Sequence, residues 1–285
     1  MYGNEYKLGK YAIATRLKIY KTVVFPAIYH NIETWSNISK NEMNELEKIQ
    51  CIILKRITEQ RITTPHFGLL SELGIWPIEK QIQYKKIMLL HSILTSQGER
   101  TLKDIIEEQI NNTWKGCWIE QTREICSKYN IEITNIKNYN KYKLKKILKE
   151  TINKHLNEEL QREKEQKTKL RFLNEFKQEK YLDELQYNEC VEMLKIKLNM
   201  IETKCNYKGN FKNDQICEIC KVENDTTEHI LECRMNKLGI TMNAENIITS
   251  DYNILGEIKK VMDMREKLGF KINIGEADDE IEEEV

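Results

Sequence analysis

The chain has 285 residues, 40% apolar and 32% charged, a size that allows one large domain or two or three small ones. Three prolines and 11 glycines leave few turn residues for a sandwich or barrel of short strands, so the expected fold class is mostly α. Forty-five bases balance 45 acids, but Glu276 to Val285 holds seven acids and no base, leaving 45 bases against 38 acids elsewhere, which permits a polyanionic partner.

Residues 1–95 are expected to form a compact helical unit. Lys7 to Val24 is helix-like and basic, and Pro26 marks a break or a new helix start. Ser39 and Glu42 have the spacing of a capping box, in which a hydroxyl and a carboxylate satisfy free amides of the first turn. Met43, Leu46, Ile49, Ile53 and Ile57 follow at helical spacing, with Glu45, Lys48 and Lys55 outside. A turn through Thr63, Thr64 and Pro65 leads to Leu69 to Leu73, closed by Gly74 as a C-cap. Pro77 suits the first turn of a further helix, with Ile78, Ile82, Leu89 and Ile93 inward and Lys80, Lys85 and Lys86 outward.

Residues 96–185 read as a helical connector. Trp114 and Trp118, near Gly116, anchor a short helix to about Tyr129. Lys141 to Leu160 repeats Leu144, Leu148, Ile152 and Leu156 at helical spacing. Residues 141–180 carry 13 bases against seven acids, and Gln161 to Lys169 has no apolar residue, so it is a solvated helix or a linker. Residues 186–235 combine a helix marked by Val191, Leu194, Leu198 and Ile201 with a cysteine-rich stretch. Residues 236–285 hold a last helix, through Ile254, Ile258, Val261 and Leu268, and an acidic tail expected to be disordered.

No apolar stretch approaches the roughly 20 residues that span a bilayer. The longest, Thr22 to Tyr29, contains Pro26. The N-terminus lacks the layout of a signal peptide, so an intracellular protein of nucleus or cytoplasm is expected, with no membrane partner. Its eight cysteines are then thiols or metal ligands, not disulfides.

The strongest chemical signal is Cys217-Glu-Ile-Cys220, eight residues, His229, three residues, Cys233. Structural zinc takes four thiolate or imidazole ligands in a tetrahedron, and Cys3His is such a set. A C-x2-C turn brings two sulfurs to one ion. Asp225-Thr-Thr-Glu228 has the form of a helix N-cap, which places His229 and Cys233 four residues apart on one helical face. The expected cofactor is therefore structural Zn2+ on Cys217, Cys220, His229 and Cys233; the competing reading is a cluster of buried free thiols beside a solvent-facing His. Cys205 falls off the spacing. Cys51, Cys117, Cys126 and Cys190 lie on or near apolar faces and read as small hydrophobes. His30, His66, His91 and His155 have no evident metal or nucleophile partner in sequence and read as structural.

Before this site, Lys204, Tyr207, Lys208, Phe211 and Lys212 interleave bases with aromatic rings. Lysines contact phosphates and rings stack on unpaired bases, so this segment is the candidate nucleic-acid contact. In the other reading the rings pack against the cysteine hairpin and the lysines are solvated. The paired aspartates of two-metal nucleotidyl transfer are missing: the first Asp is Asp104, and the one Asp pair, Asp278-Asp279, lies in the acidic tail without an apolar strand around it. No P-loop, dinucleotide fingerprint or GxSxG elbow occurs.

Several segments, taken in order, resemble the reverse transcriptases of non-LTR retrotransposons. The run Leu17 to Tyr29 with Glu33-Thr-Trp35 looks like the region just after the polymerase palm. Leu46 to Ile57, Glu72 to Ile78 and Leu89 to Leu94 are similar to the thumb and the segment beyond it. Trp114 to Trp118 also fits, and the Glu228-His229-Ile-Leu-x-Cys233 ending resembles their zinc knuckle. The resemblance covers about residues 10–235. It implies a helical thumb-like bundle, a helical connector and a small CCHC knuckle. The thumb would grip a primer–template duplex, and the knuckle would help bind RNA or DNA. The palm's aromatic-x-Asp-Asp motif and the endonucleases of such enzymes are absent from these residues. The expectation is therefore a fragment with no catalysis of its own. The alternatives are an accessory subunit that joins a separate palm-containing polypeptide, and a knuckle that contacts another protein.

Overall fold

The computed structural model describes residues 12–97, 100–112, 115–207, 214–233 and 243–270. Lys7, Lys10, Trp114 and the acidic tail fall outside these ranges. Among the described residues the chain is mostly α-helical, with no sheet and one isolated antiparallel bridge, Ile216 to Asn224. The helices are α1 (Ile13–Ile19), α2 (Phe25–Ile28), α3 (Lys40–Ile57), α4 (His66–Leu73), α5 (Ile78–Thr95), α6 (Arg100–Asn111), α7 (Trp118–Lys128), α8 (Lys141–Gln166), α9 (Tyr181–Glu184), α10 (Tyr187–Lys197), α11 (Thr227–Glu232), α12 (Ala244–Ile248) and α13 (Asn253–Lys267). No helix among the described residues is long and apolar enough to cross a membrane.

Packing gathers the described residues into two compact units. One draws on Ile19–Cys51 and Trp76–Glu159, the other on Met1–Lys18, Ile52–Ile75 and Leu160–Val285.

In the unit built from Ile19–Cys51 and Trp76–Glu159, α5 is central. It lies against α6, α7 and the 3-10 turns Ile32–Thr34 and Ile133–Asn138. Trp118 opens α7 and donates its indole N–H to the Glu33 carbonyl at 2.7 Å. The stripe Leu144, Leu148, Ile152 and Leu156 of α8 is fully buried, as its spacing requires. Ser39 and Glu42 form the expected capping box, with N–H to side-chain distances of 2.7 and 3.2 Å. Pro26 sits in the first turn of α2, directly after a π-helical turn at Tyr20–Val24. Proline donates no N–H to the carbonyl four residues back, so the widened turn falls where the regular ladder is broken.

Two helix faces differ from their sequence reading. In α3 Ile49 is 40% exposed, whereas Gln50 and Leu54 are buried. The Gln50 amide donates to the Tyr20 hydroxyl and the Trp76 carbonyl, each at 3.3 Å, which makes a polar residue tolerable there. In α5 the buried row is Ile78, Ile82, Ile87, Leu90 and Leu94, and Lys80 and Lys86 are buried too. Burial lowers the pKa of both lysines, and the Lys86 ammonium donates to Gln121 at 3.0 Å.

In the other unit, α4 buries Leu69, Leu70 and Leu73 and ends at Gly74, whose φ is +56°. An added Cβ there would lie 2.3 Å from the Gln178 backbone nitrogen, so the turn requires glycine. Gln161–Lys169 is helical to Gln166 and then enters a 3-10 turn at Thr168–Leu170. A helix α10 covers Val191 and Leu194, but Leu198 is its cap and Ile201 lies beyond it. Both α10 and α11 lie against α12 and α13. In α13 Ile254, Ile258 and Val261 are buried as expected, but Leu268 is 63% exposed and Arg265 is buried instead.

Candidate metal centre

Residues 215–225 form a short hairpin. Asp225 N–H donates to the Gln215 carbonyl and Cys217 N–H to the Glu223 carbonyl, both at 2.7 Å. The turn closes with Lys221 N–H on the Cys217 carbonyl at 2.9 Å, and Lys221 itself takes a left-handed φ of +56°. This tight reversal holds the C-x2-C pair. The Ile219 N–H points at the Cys217 sulfur, at 3.4 Å. Thr226 then caps α11, its hydroxyl accepting the His229 N–H at 3.1 Å. The cap is thus one residue later than the sequence reading placed it, because Asp225 is engaged elsewhere. Its carboxylate is buried, binds the Arg265 guanidinium at 2.7 Å through Oδ2 and accepts the Lys204 backbone N–H at 2.7 Å. The helix α11 carries His229 one turn before Cys233, where the chain leaves the helix.

The ligand atoms of Cys217, Cys220, His229 and Cys233 all lie within 4.8 Å of one another. Cys220 Sγ is 3.3 Å from His229 Nε2. Zinc–ligand bonds of about 2.0–2.3 Å in a tetrahedron put neighbouring donors about 3.5–3.8 Å apart, so the cage is close to that size. Cys217 and Cys233 are buried. The other ring nitrogen of His229, Nδ1, meets the Glu223 carboxylate at 2.9 Å, which aims Nε2 at the sulfurs. The Cys220 thiol is held down to about 7, chiefly by the Glu223 backbone N–H, with further help from the Val222 N–H and His229. A thiol biased toward thiolate, two buried sulfurs and an oriented imidazole suit a soft to borderline cation. This cluster could hold a metal ion such as zinc.

Three contacts tie the hairpin and α11 to their surroundings. Arg265 grips Asp225, Arg171 pairs with Glu228, and the Thr227 hydroxyl donates to Asn199. Sequence spacing gave no signal for these, since the partners lie 28 to 57 positions apart.

The remaining cysteines stand apart from the cluster. Cys126 and Cys190 are buried, and burial pushes their thiols up to about 12 and about 11. Cys117 is half-buried and caps α7, its sulfur accepting the Glu120 N–H at 3.4 Å. Cys205 Sγ lies 3.8 Å from the Gln215 side chain, and Cys51 is half-buried. His91 contacts the Tyr139 carbonyl at 2.9 Å and His155 stacks on Tyr129 at 5.6 Å.

The candidate nucleic-acid segment is changed at its first residue. Lys204 is 2% exposed, and its ammonium is held by Asp214 at 2.6 Å and Glu218 at 2.5 Å. Its charge is matched by acids that lie 10 and 14 residues later, so it is not presented to a phosphate. Tyr207 is half-buried, with the Arg61 guanidinium 5.2 Å from its ring centre. Lys208, Phe211 and Lys212 lie outside the described residues. Comparison of the chain with family models, with curated proteins and with solved structures finds no match.

Proposed function

We propose that this chain is the nucleic-acid-binding, zinc-stabilised part of a non-LTR retrotransposon reverse transcriptase that follows the palm. The observation that carries the reading is the Cys217, Cys220, His229, Cys233 cluster, formed by a hairpin and a short helix within a mostly helical protein. The ordered motifs of residues 10–235 supply the family. The metal is Zn2+, and its role is structural: four protein ligands leave no position for substrate or an activated water. When bound, it crosslinks the hairpin to α11, two pieces with little core of their own. The chain extends no primer by itself, because the aromatic-x-Asp-Asp motif is not among its residues. An alternative within this reading is an accessory subunit that joins a separate palm-containing polypeptide.

A second reading, a protein-interaction module, draws support from Lys204, whose charge is already neutralised. Two measurements test these proposals. Elemental analysis is expected to give one zinc per chain, lost in Cys220→Ser; an equally folded metal-free protein would remove the zinc. Single-stranded RNA or DNA is expected to bind with log affinity falling by about 0.7 per neutralised phosphate for each unit of log salt. No binding at low salt overturns the nucleic-acid reading in favour of the protein-interaction module.

A further inference from the structure

The first half of α8 is a strongly charged surface that includes none of the candidate metal ligands. Lys141, Lys143, Lys145, Lys146 and Lys149 are all exposed, and no acid occurs before Glu150. Lys146 reaches Glu150 at 3.9 Å; Lys141, Lys143, Lys145 and Lys149 form no ion pair among the described residues. At 3.6 residues per turn, Tyr142, Lys145, Lys146 and Lys149 share one side of the helix, within an arc of about 100°. Tyr142 is 82% exposed.

This arrangement opposes local helix stability. The Asn140 carboxamide oxygen caps the start, accepting the Tyr142 and Lys143 N–H groups at 2.9 and 3.4 Å. The first turn, which favours acids, has none. Two turns of lysine therefore add to the positive end of the helix dipole and concentrate a field that a polyanion relieves. The apolar stripe of α8 is fully buried in the core, so no apolar face is left beside the lysines to enter a lipid surface. An exposed ring at the edge of the lysine strip is what base stacking uses.

We propose that Lys145, Lys146 and Lys149 of α8 bind the phosphates of a single-stranded nucleic acid while Tyr142 stacks on one of its unpaired bases. This rests on the nucleic-acid reading above but assigns the contact to residues 142–149 instead of the segment 204–212. The test uses the full chain and a labelled single-stranded oligouridine, read by anisotropy over a salt series. Substituting Lys145, Lys146 and Lys149 by Gln together is expected to reduce the salt slope by about 2, three phosphates at 0.7 each. Tyr142→Ala is expected to weaken binding about tenfold, with Tyr142→Phe close to wild type. Circular dichroism should show unchanged helicity in every variant, since all four side chains are exposed. Wild-type binding with unchanged affinity and slope in the Gln variant overturns the α8 face and leaves the proposed function standing. Absence of wild-type binding overturns both. An unchanged Tyr142→Ala overturns the stacking role, and lysine-dependent binding of an acidic polypeptide with none of oligouridine makes the face a protein contact.

Discussion

Glu72 is a carboxylate with almost no access to water, and its chemistry follows from that. Burial pushes its pKa up to about 7 against the opposing pull of Lys197, whose ammonium lies 3.8 Å away, and of the Tyr181 hydroxyl, which donates to it at 2.7 Å. Glu179 adds a further push upward. In the unfolded chain the group titrates near 4.5. The folded protein therefore holds a proton that the unfolded chain has released across the interval from about 4.5 to 7. Stability from this group is complete below that interval and is lost as pH rises through it, on the order of 3 kcal/mol in all. Glu72→Gln cannot titrate, so its denaturation free energy is expected to fall less between pH 4.5 and 7.5 than that of wild type. Urea melts across this range check it; parallel curves for the two proteins would assign the pH dependence to other groups.

At the scale of elements, local signals were legible in the sequence and remote ones were not. The Ser39–Glu42 box, the Gly74 stop and the stripe of α8 depend on residues within one or two helical turns, and spacing reports such geometry directly. The same holds for the candidate metal ligands, whose spacing fixes a turn and a helical step. The faces of α3 and α5 were misread by about one position because remote partners decide them. Gln50 is admitted by Tyr20 and Trp76, Lys86 by Gln121, and Arg265 by Asp225. A hydrophobic count penalises a buried Gln, Lys or Arg, and no local pattern announces the partner that makes it tolerable. The start of α8 extends this argument to function. Lys143 stands in its first turn, where an acid would be favoured. Lys143→Glu is expected to raise stability by about 0.5–1 kcal/mol in a thermal melt while weakening oligouridine binding. Gains in both properties would show that the lysines are not held there for a ligand.

For the molecule as a whole, the proposed zinc would matter through what it holds in place. The hairpin has one bridge, and α11 has six residues, well short of the roughly 12–15 at which an isolated helix becomes even marginal. Neither piece supports itself, so their order draws on the packing of Ile230 and Leu231 against α12 and α13, on the contacts to Arg171, Asn199 and Arg265, and on the proposed zinc crosslink. Those contacts also run the other way. Asp225 lies between the two pairs of ligands, and its carboxylate compensates a guanidinium that is 1% exposed within the packing of α13. If removal of zinc releases the hairpin, Arg265 keeps its burial and loses its counter-charge, a loss of about 3–5 kcal/mol for an interior ion pair. The cheaper course is for α13 to loosen and hydrate the guanidinium. Chelation is therefore expected to raise hydrogen exchange in residues 214–233 and in Asn253–Lys267 together, with α5 as the reference. A double substitution, Asp225→Asn with Arg265→Met, removes both charges and should uncouple the two regions. Protection of α13 that survives chelation in the wild-type chain would show that Asp225 keeps its place without the metal, and the centre would then be a local clasp.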